Sequence, residues 1–86
     1  MRLEFKAQAF EDLQYWLQTN PKFAKRLLEL IEETRRDPFG GKGKPEPLRG
    51  ELSVWWSKRI DREHRLIYQV TGDRLVIAQA KGHYDD

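Results

Sequence analysis

Hydrophobic and polar positions change period twice along this chain. Leu3 and Phe5 alternate with Arg2, Glu4 and Lys6, the two-residue period of a half-buried strand. From Ala7 the spacing turns helical. Phe10, Leu13 and Leu17, with Trp16 beside them, predict an amphipathic helix with that stripe against the core. Asn20-Pro21 punctuates the pattern, because asparagine caps a helix well and proline suits its first turn. Phe23, Ala24, Leu27, Leu28, Leu30, Ile31 and Thr34 then predict a second amphipathic helix, antiparallel to the first. It should end near Asp37, since Pro38 disfavours helical backbone at the residue before it.

Residues 37–50 have no period and hold four glycines, three prolines and three basic residues. Structureless loops of this length inside small domains are usually functional, so this one is the first place to look for chemistry. Strand-like patterns then run to the end. Leu52 to Ile60 carries Val54, Trp55 and Trp56. Leu66, Tyr68 and Val70 alternate with Arg65, Ile67 and Gln69. Thr71-Gly72-Asp73 reads as a hairpin turn and Leu75 to Ala80 as a nearly continuous apolar strand. The predicted order is β-α-α-β-β-β, one α+β domain over residues 1–86. A helical hairpin would pack on one face of a small, mainly antiparallel sheet and leave the other face open for binding.

Composition narrows the classes. Eighty-six residues suffice for one domain, and hydrophobic (38%) and charged (35%) residues are nearly balanced. No apolar run approaches the roughly 20 residues of a spanning helix, and the N-terminus lacks a signal-like apolar stretch. Cysteine is absent, which removes disulfides and thiolate metal sites. Together these features predict a cytoplasmic protein without membrane contact. A net charge of +2 says little about partners, but its distribution says more. Between Lys42 and Arg65 there are seven Lys/Arg against four Asp/Glu, while several acids lie in the helical half. A one-sided, phosphate-attracting face would fit this distribution, but on charge alone an ordinary solvated surface is the better reading.

Candidate chemistry comes from few residues. A hairpin that sets Arg59 opposite Arg65 would aim two guanidinium groups from one face. Like charges so placed destabilise a sheet unless an anion such as phosphate sits between them. Taken singly, pairing with Asp61 or Glu63 is the better reading of each arginine. Glu46 stands between Pro45 and Pro47, which restrict the backbone, with Lys44 and Arg49 nearby. Such a carboxylate reads either as a proton acceptor or as an ion-pair partner, and adjacent cations weaken it as a base. His83, beside Tyr84, titrates near neutrality by type. Alternation counted from Leu75 places it on the core side, unless Gly82 introduces a bulge. His64 lies in a charged turn and reads as structural. No HExxH or cysteine cluster implies a metal, and no Walker or GxGxxG loop implies a nucleotide. No cofactor is expected. Trp55 and Trp56 should face opposite sides of their strand, with core packing the better reading for either.

Several segments together resemble the YoeB toxins of the RelE superfamily. They are Thr34-Arg35-Arg36-Asp37-Pro38-Phe39-Gly40-Gly41-Lys42-Gly43-Lys44-Pro45-Glu46-Pro47-Leu48, Trp56-Ser57-Lys58-Arg59-Ile60, Glu63-His64-Arg65-Leu66-Ile67-Tyr68 and His83-Tyr84. The resemblance implies a type II toxin, a ribosome-dependent messenger-RNA endoribonuclease restrained by a YefM-like antitoxin. It implies metal-free cleavage to 2′,3′-cyclic phosphate and 5′-hydroxyl ends. It further implies Glu46 as general base, His83 as general acid and Arg65 as phosphate-stabilising residue, with Arg59 and Tyr84 in support and Lys44 and Arg49 on the RNA. The sequence leaves the oligomeric state open, a homodimer among the options, and operator DNA would be contacted only through the antitoxin complex. Two features depart from the family: the chain continues past His83-Tyr84 with Asp85 and Asp86, and Lys81-Gly82 replaces a bulkier pair. Two competing readings are a non-catalytic RNA- or DNA-binding module and a pure partner-binding protein. RNA protection without cleavage would select the first, and dependence on a partner without any effect on RNA the second.

Overall fold

The computed structural model describes residues 1–52 and 54–82. Strand β1 (Arg2–Phe5) leads into helix α1 (Ala7–Thr19), and α2 (Pro21–Arg36) follows after one residue. The Asn20 side chain accepts the Phe23 N–H at 3.2 Å with Pro21 in the first turn, as its sequence predicts. A two-residue strand β2 (Glu46–Pro47) and a 3₁₀ turn (Gly50–Leu52) precede β3 (Trp56–Arg59), β4 (Arg65–Thr71) and β5 (Arg74–Gln79). The sheet order is β1-β5-β4-β3-β2, with β1 parallel to β5 and the other neighbours antiparallel. The α+β architecture with a helical hairpin on one sheet face is therefore as expected. The strand expected from Leu52 to Ile60 is shorter, because the chain turns at 50–52 before it joins the sheet.

Leu66 and Tyr68 of β4, Leu75 and Ile77 of β5, and Ile60 meet Trp16, Phe23, Leu27 and Ile31 in the main core. Helix α1 does not bury the expected stripe. Phe10 and Leu17 are about half exposed, while Ala9, Asp12 and Trp16 are buried. The reason is polar. Asp12 accepts the Ala80 N–H at 2.9 Å and the Gln8 amide at 2.9 Å, and the Trp16 indole N–H donates to the Ala80 carbonyl at 2.9 Å. Both backbone polar groups of one residue beyond β5 thus find partners on α1, which rotates the helix to present them.

The opposite sheet face is only partly open. Leu48, Ile67 and Val76 are buried although they lie outside the main core cluster. Register puts Ile67 and Val76 on the face away from the helices. Trp55 is half-buried and Lys6 Nζ stands 5.2 Å from its ring centroid, whereas Trp56 packs on the core. The two tryptophans serve opposite faces, as alternation requires.

Candidate functional site

The glycine-rich segment is fixed from below. Lys58 is fully buried on the helix side of β3, and its ammonium donates to the Asp37 carbonyl at 3.2 Å. Burial lowers its pKa, opposed by the nearby Glu33 and Asp37 carboxylates. The Tyr68 hydroxyl donates to the Pro38 carbonyl; burial, then the Asp37 charge, pushes the phenol's pKa well up. Glu33 accepts the Lys42 N–H at 2.6 Å, and the Arg59 N–H donates to the Gly43 carbonyl at 2.7 Å. Gly43 lies at φ +92°, and a Cβ there would come within 3.0 Å of the Arg59 carbonyl, so glycine permits this close approach. Residues 37–44, expected to be structureless, are thus tied to α2, β3 and β4.

From that platform the chain enters β2. Glu46 pairs with Ser57, and Arg59 lies two residues further along β3. Arg59 is directly opposite Arg65, the register that puts both side chains on one face. Cross-strand partners share a face, and so do residues two apart on a strand. Glu46, Arg59 and Arg65 therefore all lie on the face away from the helices. Glu46 and Arg59 are exposed and Arg65 is half-buried.

Neither arginine pairs with Asp61 or Glu63 as its sequence neighbourhood suggests. The Arg65 guanidinium donates to the Asp61 and Arg62 carbonyls at 3.2 and 3.3 Å, within its own turn. The Asp61 carboxylate instead accepts the Glu63 and His64 N–H groups at 2.8 and 2.7 Å. Desolvation raises the Asp61 pKa, but these N–H groups and the nearby His64 and Arg26 outweigh it and leave the pKa lowered. Among the described residues no carboxylate lies within ion-pair distance of Arg59 or Arg65.

His83 and Tyr84 lie outside the described residues, but the backbone leading to them is held. Ile67 pairs with Gln79 and Tyr68 with Ile77, so Ala78 is an extra, bulged residue. The bulge interrupts the straight alternation counted from Leu75, Gly82 lies at φ +79°, and the side taken by His83 falls outside the described residues. Gly82 donates its N–H to His64 Nδ1 at 2.8 Å, and its carbonyl accepts the Arg65 N–H at 2.9 Å. His64 is structural, as its position in the turn suggests. Asp12 and Trp16 were not legible as part of this arrangement, because their partner is a backbone peptide 64 or more residues away.

Lys44 is exposed, at φ +51°, just before the Pro-Glu-Pro run, and Arg49 is exposed beyond it. A cleft of about 980 Å³ opens between α2 and the β3–β4 turn, lined among others by Arg26, Glu29, Lys42, Lys44, Arg59 and Arg62. It shares Lys44 and Arg59 with the predicted site, but Glu46 and Arg65 do not line it. Among the described residues no cluster of three His, Cys, Asp or Glu is placed to hold a metal, and no helix is long and apolar enough to cross a membrane.

Residues 5–84 match the family model of the YoeB-like toxin of bacterial type II toxin-antitoxin systems. Toxin YoeB of Streptomyces coelicolor is 51% identical over 98% of this chain and 100% of its own length. The YoeB/ParE toxin from Agrobacterium tumefaciens superposes with a TM-score of 0.93 at 38% identity, covering 98% of this chain and 100% of that one. Staphylococcus aureus YoeB superposes at 0.89 as a dimer and 0.87 in its complex with YefM, at 40% and 41% identity, each covering 98% of both chains. With a family model spanning nearly the whole chain and a relative at half identity, this chain belongs to the YoeB-like toxins of bacterial type II toxin-antitoxin systems.

Proposed function

We propose that this toxin is a ribosome-dependent endoribonuclease that cuts messenger RNA by general acid–base attack of a ribose 2′-hydroxyl. The observation that carries the reading is the Arg59–Arg65 pair. Two cations face each other across β3 and β4 without a carboxylate partner among the described residues, on the face that bears Glu46. Such a pair is suited to a dianionic or phosphorane-like group between the guanidinium forks. Glu46 takes the 2′-hydroxyl proton, and the oxygen attacks the adjacent phosphorus. Arg65, with Arg59, stabilises the charge that grows on the non-bridging oxygens. His83 protonates the departing 5′-oxygen with Tyr84 beside it, giving 2′,3′-cyclic phosphate and 5′-hydroxyl ends. Lys44 and Arg49 contact the RNA backbone near Glu46.

The S. aureus complex supports a YefM-like antitoxin as partner, and the S. aureus dimer supports self-association. An acidic antitoxin segment that sets a carboxylate between Arg59 and Arg65 would occupy the phosphate position. Operator DNA is met only through that complex, and the site of action is the cytoplasm. The decisive experiment incubates the purified toxin with mRNA-programmed ribosomes and with the same RNA free, then analyses the new ends. Cleavage should be far faster on the ribosome, with cyclic phosphate ends. Equal rates on both substrates would remove the ribosome from the mechanism.

A further inference from the structure

We infer that His64 is a positioning residue that keys the chain entering His83 to the turn that holds Arg65. This rests on the proposed acid role of His83. His64 and Arg65 grip one residue from both sides: Nδ1 accepts the Gly82 N–H at 2.8 Å, and the Arg65 N–H meets the Gly82 carbonyl at 2.9 Å. That carbonyl belongs to the peptide bond joining Gly82 to His83, so the clip holds the last described residue before the proposed acid. The same turn holds the Arg65 guanidinium through the Asp61 and Arg62 carbonyls. One five-residue turn therefore registers both the phosphate-binding group and the segment bearing the acid.

The ring has a defined orientation. An Nδ1 that accepts carries no proton, which leaves the hydrogen on Nε2, 3.6 Å from a Glu63 carboxylate oxygen. Trp16 and Phe23 meet the ring edge-to-face at centroid distances of 4.7 and 5.5 Å. Trp16 also bonds the Ala80 carbonyl, two residues before Gly82. Packing fixes the imidazole plane, and the plane fixes the acceptor.

His64→Phe keeps a packed ring and removes the acceptor, whereas His64→Asn restores an acceptor near the Nδ1 position. On ribosome-bound mRNA, His64→Phe should lower kcat by ~10–100-fold with KM little changed, the scale of a small misplacement of a reacting group. His64→Asn should regain most of that loss. Gly82 amide exchange should speed up in the Phe variant and not in the Asn variant. In a His83→Ala background His64→Phe should have almost no further effect, since the group it places is gone. If circular dichroism shows the Phe variant unfolded, His64→Gln, whose polar end reaches the Nε2 position instead, takes its place. A wild-type rate in His64→Phe, or an equal loss with and without His83, overturns the positioning role. If His83→Ala alone leaves the rate untouched, the acid assignment has failed, and this inference with it.

Discussion

The β3–β4 turn and strand β2 hold the two halves of the candidate site in opposite ways. In the turn, side chains and backbone bond one another. Asp61 accepts two backbone N–H groups, its carbonyl and that of Arg62 accept the Arg65 guanidinium, and His64 and Arg65 clamp Gly82. At β2, two residues pair with the sheet edge and the Glu46 side chain is exposed. The cation is pre-organised while the carboxylate keeps its hydrogen-bonding capacity for whatever arrives. A site that stabilises charge gains from fixed donors, whereas a base must be free to take a proton.

Breaking the β2 side should give the largest loss with the least structural effect. Glu46→Ala should slow cleavage by ~10²–10⁴-fold, with stability changed by no more than about 0.5 kcal/mol because the side chain is exposed. An RNA with sulfur at the leaving 5′-position needs little acid. It should restore much of the rate to His83→Ala and none to Glu46→Ala; the reverse pattern means the acid and base are exchanged. Next comes Arg65→Ala, expected at ~10²–10³-fold. Arg65→Lys should recover little, since an ammonium cannot reproduce a planar fork bonded to two carbonyls.

Asp61 tests the turn without touching the proposed chemistry. Asp61→Ala leaves two N–H groups without their acceptor and should destabilise by about 1–2 kcal/mol, a drop of roughly 4–8 °C in Tm per kcal/mol. Arg65 then loses its fixed seat, and cleavage should fall by about tenfold. Because the folded Asp61 pKa is lowered, its contribution is complete above the ordinary aspartate range, near pH 4, and fades as pH falls through the lower folded value. Acid unfolding of Asp61→Asn should lack that component; an unchanged acid limb would mean the carboxylate's charge contributes nothing. Smallest of the set, Arg59→Ala should reduce the rate by less than Arg65→Ala, chiefly through KM, because its exposed side chain has no seat to lose.

What could be read from the chain follows the same division between local and distant partners. The Asn20-Pro21 start, the Gly72-Asp73 turn and the Arg59–Arg65 register depend on neighbours in sequence, and each formed as read. Lys58 carried a signal too, since alternation put it between Trp56 and Ile60 on the buried side, yet the carbonyl that receives it lies 21 residues away. Asp12 was harder. Within a helix rich in large apolar residues nothing marked an acid as buried, and the exposed Phe10 and Leu17 pulled the expected stripe the wrong way. The bulge at Ala78 has no local signature either, so the straight alternation from Leu75 ends there. Glu46 and the arginines stood out because charge in a constrained segment is visible without knowing its partners.

The parallel pairing of β1 with β5 sets a schedule for synthesis. Leu3 lies beside Leu75 and Phe5 beside Ile77, so among the described residues the first strand's one neighbour in the sheet is the last strand in sequence. At roughly 5–20 residues per second, the first strand waits about 4–14 s for its neighbour during translation. Until then α1 has no Ala80 peptide to bond and β4 has only one of its two flanking strands. Neither the parallel edge of the sheet nor the seating of α1 can therefore form until residue 80 has been added.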